Sequence, residues 1–172
     1  GDRKMARFVR FLCGILKCGF LRADFGTSPK NILDKCQKVS RQDIKCDIIL
    51  PVCDQYDFIK NCIESIIRNT EIPYQLIVIN NGKSPDVRKY LDDLDKNEDV
   101  ETTVIHSSHN IGWVKALNKG MEISKAPYIC FQNDDTIVTR GWLKKMINIL
   151  NVDPRYGMVN PVWDGRPSNI SI

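Results

Sequence analysis

The sequence predicts an α/β fold: a three-layer sandwich with a mainly parallel sheet, preceded by N-terminal helices. Two observations carry that prediction. Strand-like and helix-like segments alternate from Asp47 onward, and the strand-like runs are continuously apolar. A strand apolar on both sides is covered on both faces, as in parallel sheets joined by helical crossovers. A third observation points to function. Polar clusters recur where the strand-like runs stop: Cys53-Asp54, Asn80-Asn81-Gly82, His106 to Asn110, and Asn133-Asp134-Asp135.

Bulk properties bound the answer. With 172 residues, the chain is long enough for one domain with an appendage. Its net charge of +4 is mild and gathers at the amino end, which gives no case for nucleic acid as a partner. Seven cysteines, an odd count with no C-x-x-C pair, argue for a reducing, cytoplasmic setting over a disulfide framework. His106 and His109 have no neighbouring Cys or carboxylate to complete a zinc set, and read as surface-loop histidines. The apolar run Phe11 to Leu16 sits between Arg10 and Lys17, far short of a membrane span.

The elements follow in order. Residues 1–22 read as a basic amphipathic helix, with Met5, Phe8, Val9, Leu12, Ile15 and Leu16 at helical spacing. Residues 3–22 are expected to dock on protein, self-associate or make peripheral contact with an anionic membrane. A linker and a short helix over about 29–39 complete an appendage of residues 1–45. The main domain, residues 46–172, opens with the buried strand Asp47 to Val52. An amphipathic helix follows over Gln55 to Asn69. Tyr74 to Asn80 is the second strand, ending in a turn signal. Ser84 caps a helix through about Asp95, with Pro85 at its first position. Val100 to His106 is the third strand, and Asn110 to Ser124 a helix with Val114, Leu117, Met121 and Ile123 apolar. Tyr128 to Phe131 is the fourth strand. Gly141 to Asn151 is a helix and Met158 to Val162 a fifth strand.

The polar residues after Phe131 carry the chemistry. Two adjacent carboxylates and an amide offer hard oxygen donors, which suit Mg²⁺ or Mn²⁺ holding substrate phosphates. The alternative is an Asx-rich turn, with Asp135, Thr136 or Thr139 capping the next helix. In an open α/β sheet, ligands gather at the carboxyl ends of strands, and four polar clusters stand at four such ends.

Four segments, in this order, resemble family-2 glycosyltransferases of the A-type nucleotide-sugar-binding fold. They are DIILPVCDQYDFIKNCIESIIRNT, LIVINNGKSPD, NIGWVKALNKGMEISKAPYI and CFQNDDTIVTRGWLKKM. The third is similar to the family's Asn-x-Gly-x-x-x-Ala-x-Asn-x-Gly helix, and the fourth to its Asp-x-Asp site with a following Gly-Trp-Leu. The resemblance implies a UDP- or dTDP-linked sugar donor and a glycan, lipid-linked or protein acceptor. It implies that Pro51, Val52 and Asp54 border base and ribose, and that Asn81 meets the base. Asn110 and Gly112 would lie beneath the diphosphate sugar, with Asn118 helping to hold loop or sugar. Asp135 would hold Mn²⁺ or Mg²⁺ with Asn133 at the first position of the motif, while Asp134 contacts sugar or ribose. Departures are specific: Asn80 and Asn133 replace Asp, and Leu117 replaces a frequent Arg. Inverting members need a general base to deprotonate the acceptor, and Asp164 is the late carboxylate available in a loop. A catalytically incomplete binding or protein-interaction module of the same fold is the alternative. A nucleotidyltransferase is disfavoured, because VCDQYDF lacks the Gly-rich basic loop such enzymes carry after the first strand.

Overall fold

A computed structural model describes residues 46–161 with their side chains, and the backbone of residues 7–10. Six strands form one parallel sheet. In chain order the elements are β1 (Arg7–Arg10), β2 (Cys46–Val52), α1 (Tyr56–Asn69), β3 (Tyr74–Asn80), α2 (Pro85–Asp95) and β4 (Thr102–His106). Then come α3 (Trp113–Ile123), β5 (Tyr128–Phe131), α4 (Trp142–Val152) and β6 (Met158–Val159). The spatial order is β4-β3-β2-β5-β1-β6. The chain therefore winds outward from β2 to β4, then returns to lay β5 on the other side of β2.

The appendage expectation needs a correction. Arg7–Arg10 is not helical; it pairs in parallel with β5 and with β6. Phe and Val favour strands, and β5 offers an unpaired edge opposite β2. Completing that ladder outweighs a local helical spacing, since propensity is a weak prior. The rest of the expected 1–22 helix, the 29–39 helix and Asp164 lie outside the described residues.

Period-two alternation splits the core into two layers, as a sheet covered on both faces requires. Cys46, Ile48, Leu50 and Val52 of β2 face α1, α2 and α4 with Leu76, Val78 and Cys130. Ile49, Ile77, Ile79 and Ile129 face α3. On α3 the buried side is Ala116, Leu117 and Gly120, with Trp113 and Met121 beside it. This is an i, i+3, i+4, i+7, i+8 stripe counted from Trp113. Val114, one of the apolar residues noted on this helix, is 63% exposed. Ser84 caps α2 as expected, accepting from Val87 N–H at 3.4 Å, with Pro85 in the first turn.

Two contacts lock α3 and its exit to β2. Gly120 packs so close that a Cβ there would lie 2.4 Å from Ile49 Cγ2. Asp47 is buried, and its Oδ2 accepts from Ser124 Oγ, Lys125 N–H and Ala126 N–H at 2.7, 2.8 and 3.0 Å. Together they hold the turn that feeds β5 into the sheet. Alanine in an exposed helix would gain about 1 kcal/mol over glycine, but Ile49 is fully buried and branched at Cβ, so it has no rotamer to yield into. Gly120→Ala is expected to lower stability by about 1–2 kcal/mol in urea melts, while Gly157→Ala, with open space around it, stays neutral. Asp47→Ala is expected to lose about 2–4 kcal/mol by stranding its donors.

Candidate functional site

The reversal of winding at β2 separates the loops after β2 and β5, the place where such sheets open a crevice. The cleft found there has a volume of about 180 Å³. It is lined by Pro51, Val52 and Cys53 at the end of β2, Asn81 after β3, Asp134 after β5, and Asn110 and Trp113 at the start of α3. Five residues singled out from sequence thus converge: Pro51, Val52, Asn81, Asn110 and Asp134.

Each is held by its local backbone. Asn81 N–H donates to Val52 O at 2.8 Å, continuing the β2–β3 ladder one residue past the strand. Its side chain is 7% exposed, and the Oδ1 atom is buried with no partner. A buried amide oxygen left unsatisfied is costly, so a donor arriving in the cleft would be rewarded. Asn110 Oδ1 accepts from Gly112 N–H at 2.8 Å, an Asx turn that opens α3. Gly112 has φ +79° and ψ 162°, a conformation essentially reserved for glycine. A Cβ there would touch nothing, so its backbone is open to approach.

The segment after β5 is fastened to α1. Cys62 Sγ donates to Asn133 O at 3.3 Å, Thr136 Oγ1 to the same carbonyl at 2.9 Å, and Asn69 Nδ2 to Val138 O at 2.9 Å. Val138 N–H donates to Ser65 Oγ at 3.0 Å, and buried Gln132 donates to Thr136 Oγ1. None of Asp135, Thr136 and Thr139 caps α4 through its side chain; the cap is Gly141, in the left-handed region at φ +70°. The helix-cap reading of this segment is therefore wrong. The tight turn is instead made by Thr136 and Cys62, which leaves the two carboxylates for other work.

Asp134 Oδ2 accepts from Cys53 N–H at 3.3 Å, bridging the ends of β5 and β2. Burial, followed by the negative charge of Asp135, pushes its carboxyl above the ordinary range despite that bond. Asp135 is exposed and Asn133 half-buried; neither borders the cleft itself. No basic side chain pairs with Asp134 or Asp135 among the described residues. No group of three acidic, His or Cys side chains gathers to enclose a metal among them either. The donor set fits a divalent ion held by one or two carboxylates and an amide, with phosphates and water completing the shell.

Other expected residues fall elsewhere. Asp54 Oδ1 accepts from Lys83 N–H and Ser84 N–H at 2.6 and 2.7 Å. Those bonds, Ser84's first, hold its carboxyl below the ordinary range. It anchors the turn beside Asn81 and does not line the cleft. Asn118 is exposed on α3, also outside the cleft lining. Leu117 is buried in the α3-side core, so no cation stands at that position. His106 is not a surface-loop residue. It closes β4, with Nδ1 3.0 Å from Asn80 Nδ2 and Nε2 2.9 Å from Asp92 Oδ1. The amide donates to Nδ1, and Nε2–H donates to Asp92. Asn80 Oδ1 in turn accepts from Gly82 N–H at 2.9 Å. An amide at position 80 thus serves both neighbours, donating to the imidazole and accepting from the turn. Trp113 and Cys53 were not expected in the cleft. Their signal was position alone, one residue past Gly112 and one past Val52.

Comparison with known proteins identifies the family and the fold. Residues 47–169, more than half of the chain, match the family model described as Glycosyl transferase family 2. An uncharacterized glycosyltransferase of Haemophilus influenzae is 26% identical over 108 residues, covering 61% of this chain and 33% of that protein. A teichoic acid poly(glycerol phosphate) polymerase of Staphylococcus epidermidis is 29% identical over 129 residues, covering 74% of this chain and 18% of that protein. A mannosyltransferase from Pyrobaculum calidifontis, solved in complex with GDP-Man and Mn²⁺, superposes with a TM-score of 0.60 at 14% identity. That match covers 73% of this chain and 39% of the mannosyltransferase, and shares the fold. The chain thus spans a third or less of the length of these two curated relatives.

A raised carboxyl gives Asp134 a testable pH signature. The folded state holds its proton more tightly than the unfolded chain does, so stability falls as pH rises from the ordinary aspartate range through the raised value. In chelator-treated protein, Asp134→Asn is expected to melt higher than wild type above that window. The gap should close as pH drops below it, in a series of melts from pH 3 to pH 8.

Proposed function

Since the chain belongs to glycosyl transferase family 2, we propose that its cleft binds the nucleotide-diphosphate sugar donor of a glycosyl transfer to an acceptor hydroxyl. The observation that carries this is the meeting of a buried amide oxygen without a partner, on Asn81, and the carboxylate of Asp134, which has no basic partner among the described residues, around one crevice at the switch point of the sheet, with Asp135 next in the chain.

In this reading Asn81 meets the base, because an amide can both donate and accept. Pro51 and Val52 form an apolar floor for base and ribose, with Asp54 fixing the loop beside them. Asn110 and the open backbone of Gly112 lie beneath the diphosphate sugar, and Asn118 stands further along the same helix. Asp135, with Asn133 at the first position of the motif, holds Mn²⁺ or Mg²⁺, while Asp134 borders sugar or ribose. A bound divalent ion supplies Lewis-acid neutralisation of the departing diphosphate. No Lys or Arg borders the cleft among the described residues. A diphosphate facing Asp134 and Asp135 without a cation would meet only like charge, so binding is expected to be cation-dependent. The acceptor is a glycan, a lipid-linked or a protein hydroxyl, and Asp164 stands as a candidate base for it. Donor binding without transfer is a second reading, supported by the amides at 80 and 133 where the family carries Asp.

Thermal melts separate these readings. UDP, dTDP or GDP at about a hundredfold over Kd with Mn²⁺ should stabilise the chain by about 2.7 kcal/mol. Chelator or Asp135→Ala should abolish the shift. Release of labelled sugar from a nucleotide sugar then distinguishes transfer or hydrolysis from binding alone. The donor-site reading fails if no nucleoside diphosphate moves the melting point with Mn²⁺ present.

A further inference from the structure

We propose that Trp113 is the platform on which the donor's nucleobase stacks, which makes the base end of the cleft an aromatic-and-amide site. The inference rests on the donor-site reading and adds a residue to it. Three observations support it.

The first is position along the sheet edge. α3 lies mainly over β2 and β3, with Ile129 and Phe131 of β5 at the margin of the same core layer. Trp113 opens that helix, so it stands over the β2–β3 side of the crevice, the side that carries Asn81. Asp134 lies beyond β2 at the end of β5. Strands two apart in a sheet are separated by roughly 10 Å. The cleft therefore has a flat, weakly polar end and an anionic end, with room for a ribose between them. The second is composition: Trp113 is the one aromatic side chain lining the cleft among the described residues. The third is the amide beside it. Asn81 Oδ1 is buried and unpartnered, which suits the donor-bearing edge of a heterocycle, while an indole offers its face. The backbone supports this placement. Gly112, just before Trp113, has open space where a side chain would stand, and Trp113 itself is half-buried. Behind it, Trp113 packs against the core layer of Ile49, Ile77 and Ile79, which fixes its place.

Stacking is tolerant of base identity and is typically worth about 10- to 100-fold in affinity. Titration calorimetry with UDP and GDP in Mn²⁺, against inorganic pyrophosphate in Mn²⁺, tests it on the whole chain. Trp113→Ala should weaken both nucleotides about 10- to 100-fold and leave pyrophosphate unchanged, while Trp113→Phe keeps most of the affinity. In wild type, nucleotide should quench tryptophan emission and pyrophosphate should not; in Trp113→Phe that quench should vanish although nucleotide still binds. This fluorescence arm holds even if the alanine variant does not fold. Equal loss of pyrophosphate and nucleotide in a folded Trp113→Ala, or a quench that survives in Trp113→Phe, overturns the stacking role alone. Absence of any nucleotide binding by wild type overturns the donor site, and the platform with it.

Discussion

Strand β2 is the constraint from which the architecture follows. It is buried on both faces, paired with β3 along its full length and with β5 over four residues. The one charged member of the strand, Asp47, takes three donors from the turn before β5 on its Oδ2, while its Oδ1 is buried without a partner. Both neighbours of β2 are thus set by β2 itself: β3 through the ladder, β5 through Asp47 and the close seat of Gly120 on Ile49. Because the chain turns back at this strand, the loops leaving β2 and β5 diverge, and a crevice opens above a rigid base. Function then depends on what those loops carry.

They carry polar groups in two states of satisfaction. Asn80, Asp54 and Asn110 are engaged in turns and pairs, and their work is to hold neighbouring residues in place. Asn81 Oδ1 and the carboxylates of Asp134 and Asp135 are not compensated in the same way. A fold keeps such groups where a ligand completes them, and at a crevice that is the economical explanation. Asn81, Asn110 and Asp134 border the cleft, so engagement in a turn does not by itself take a residue out of it.

Much of this was legible in the sequence. The strands were visible as apolar runs, the helices as periodic ones, and Ser84-Pro85 as a helix start, because each signal is local. The strand-end clusters were visible because polar residues abruptly following a buried run have few alternatives. What was not legible depended on partners distant in the chain. Arg7–Arg10 reads as helix until the open edge of β5 is known. His106 reads as a loop residue until Asn80 and Asp92 are seen on its two nitrogens. Asp54 reads as a ligand contact until Lys83 and Ser84 are found to occupy it. Trp113 reads as an ordinary helix residue until α3 is seen to lean over β2 and β3. Thr139 and its neighbours read as caps, although the chain uses a left-handed Gly141 instead.

The thiols show what the layered core does to reactivity. Burial pushes Cys46 and Cys130 far above the ordinary thiol range and Cys62 up to about 12, so these three are sealed from reagents in the native state. Cys53 alone among the described cysteines borders the crevice, and burial together with Asp54 raises its thiol too, which makes it accessible but slow. Of the four described cysteines, Cys53 is therefore the one a sulfhydryl dye would meet on the intact fold, and its rate of attachment would act as a clock for occupancy of the crevice.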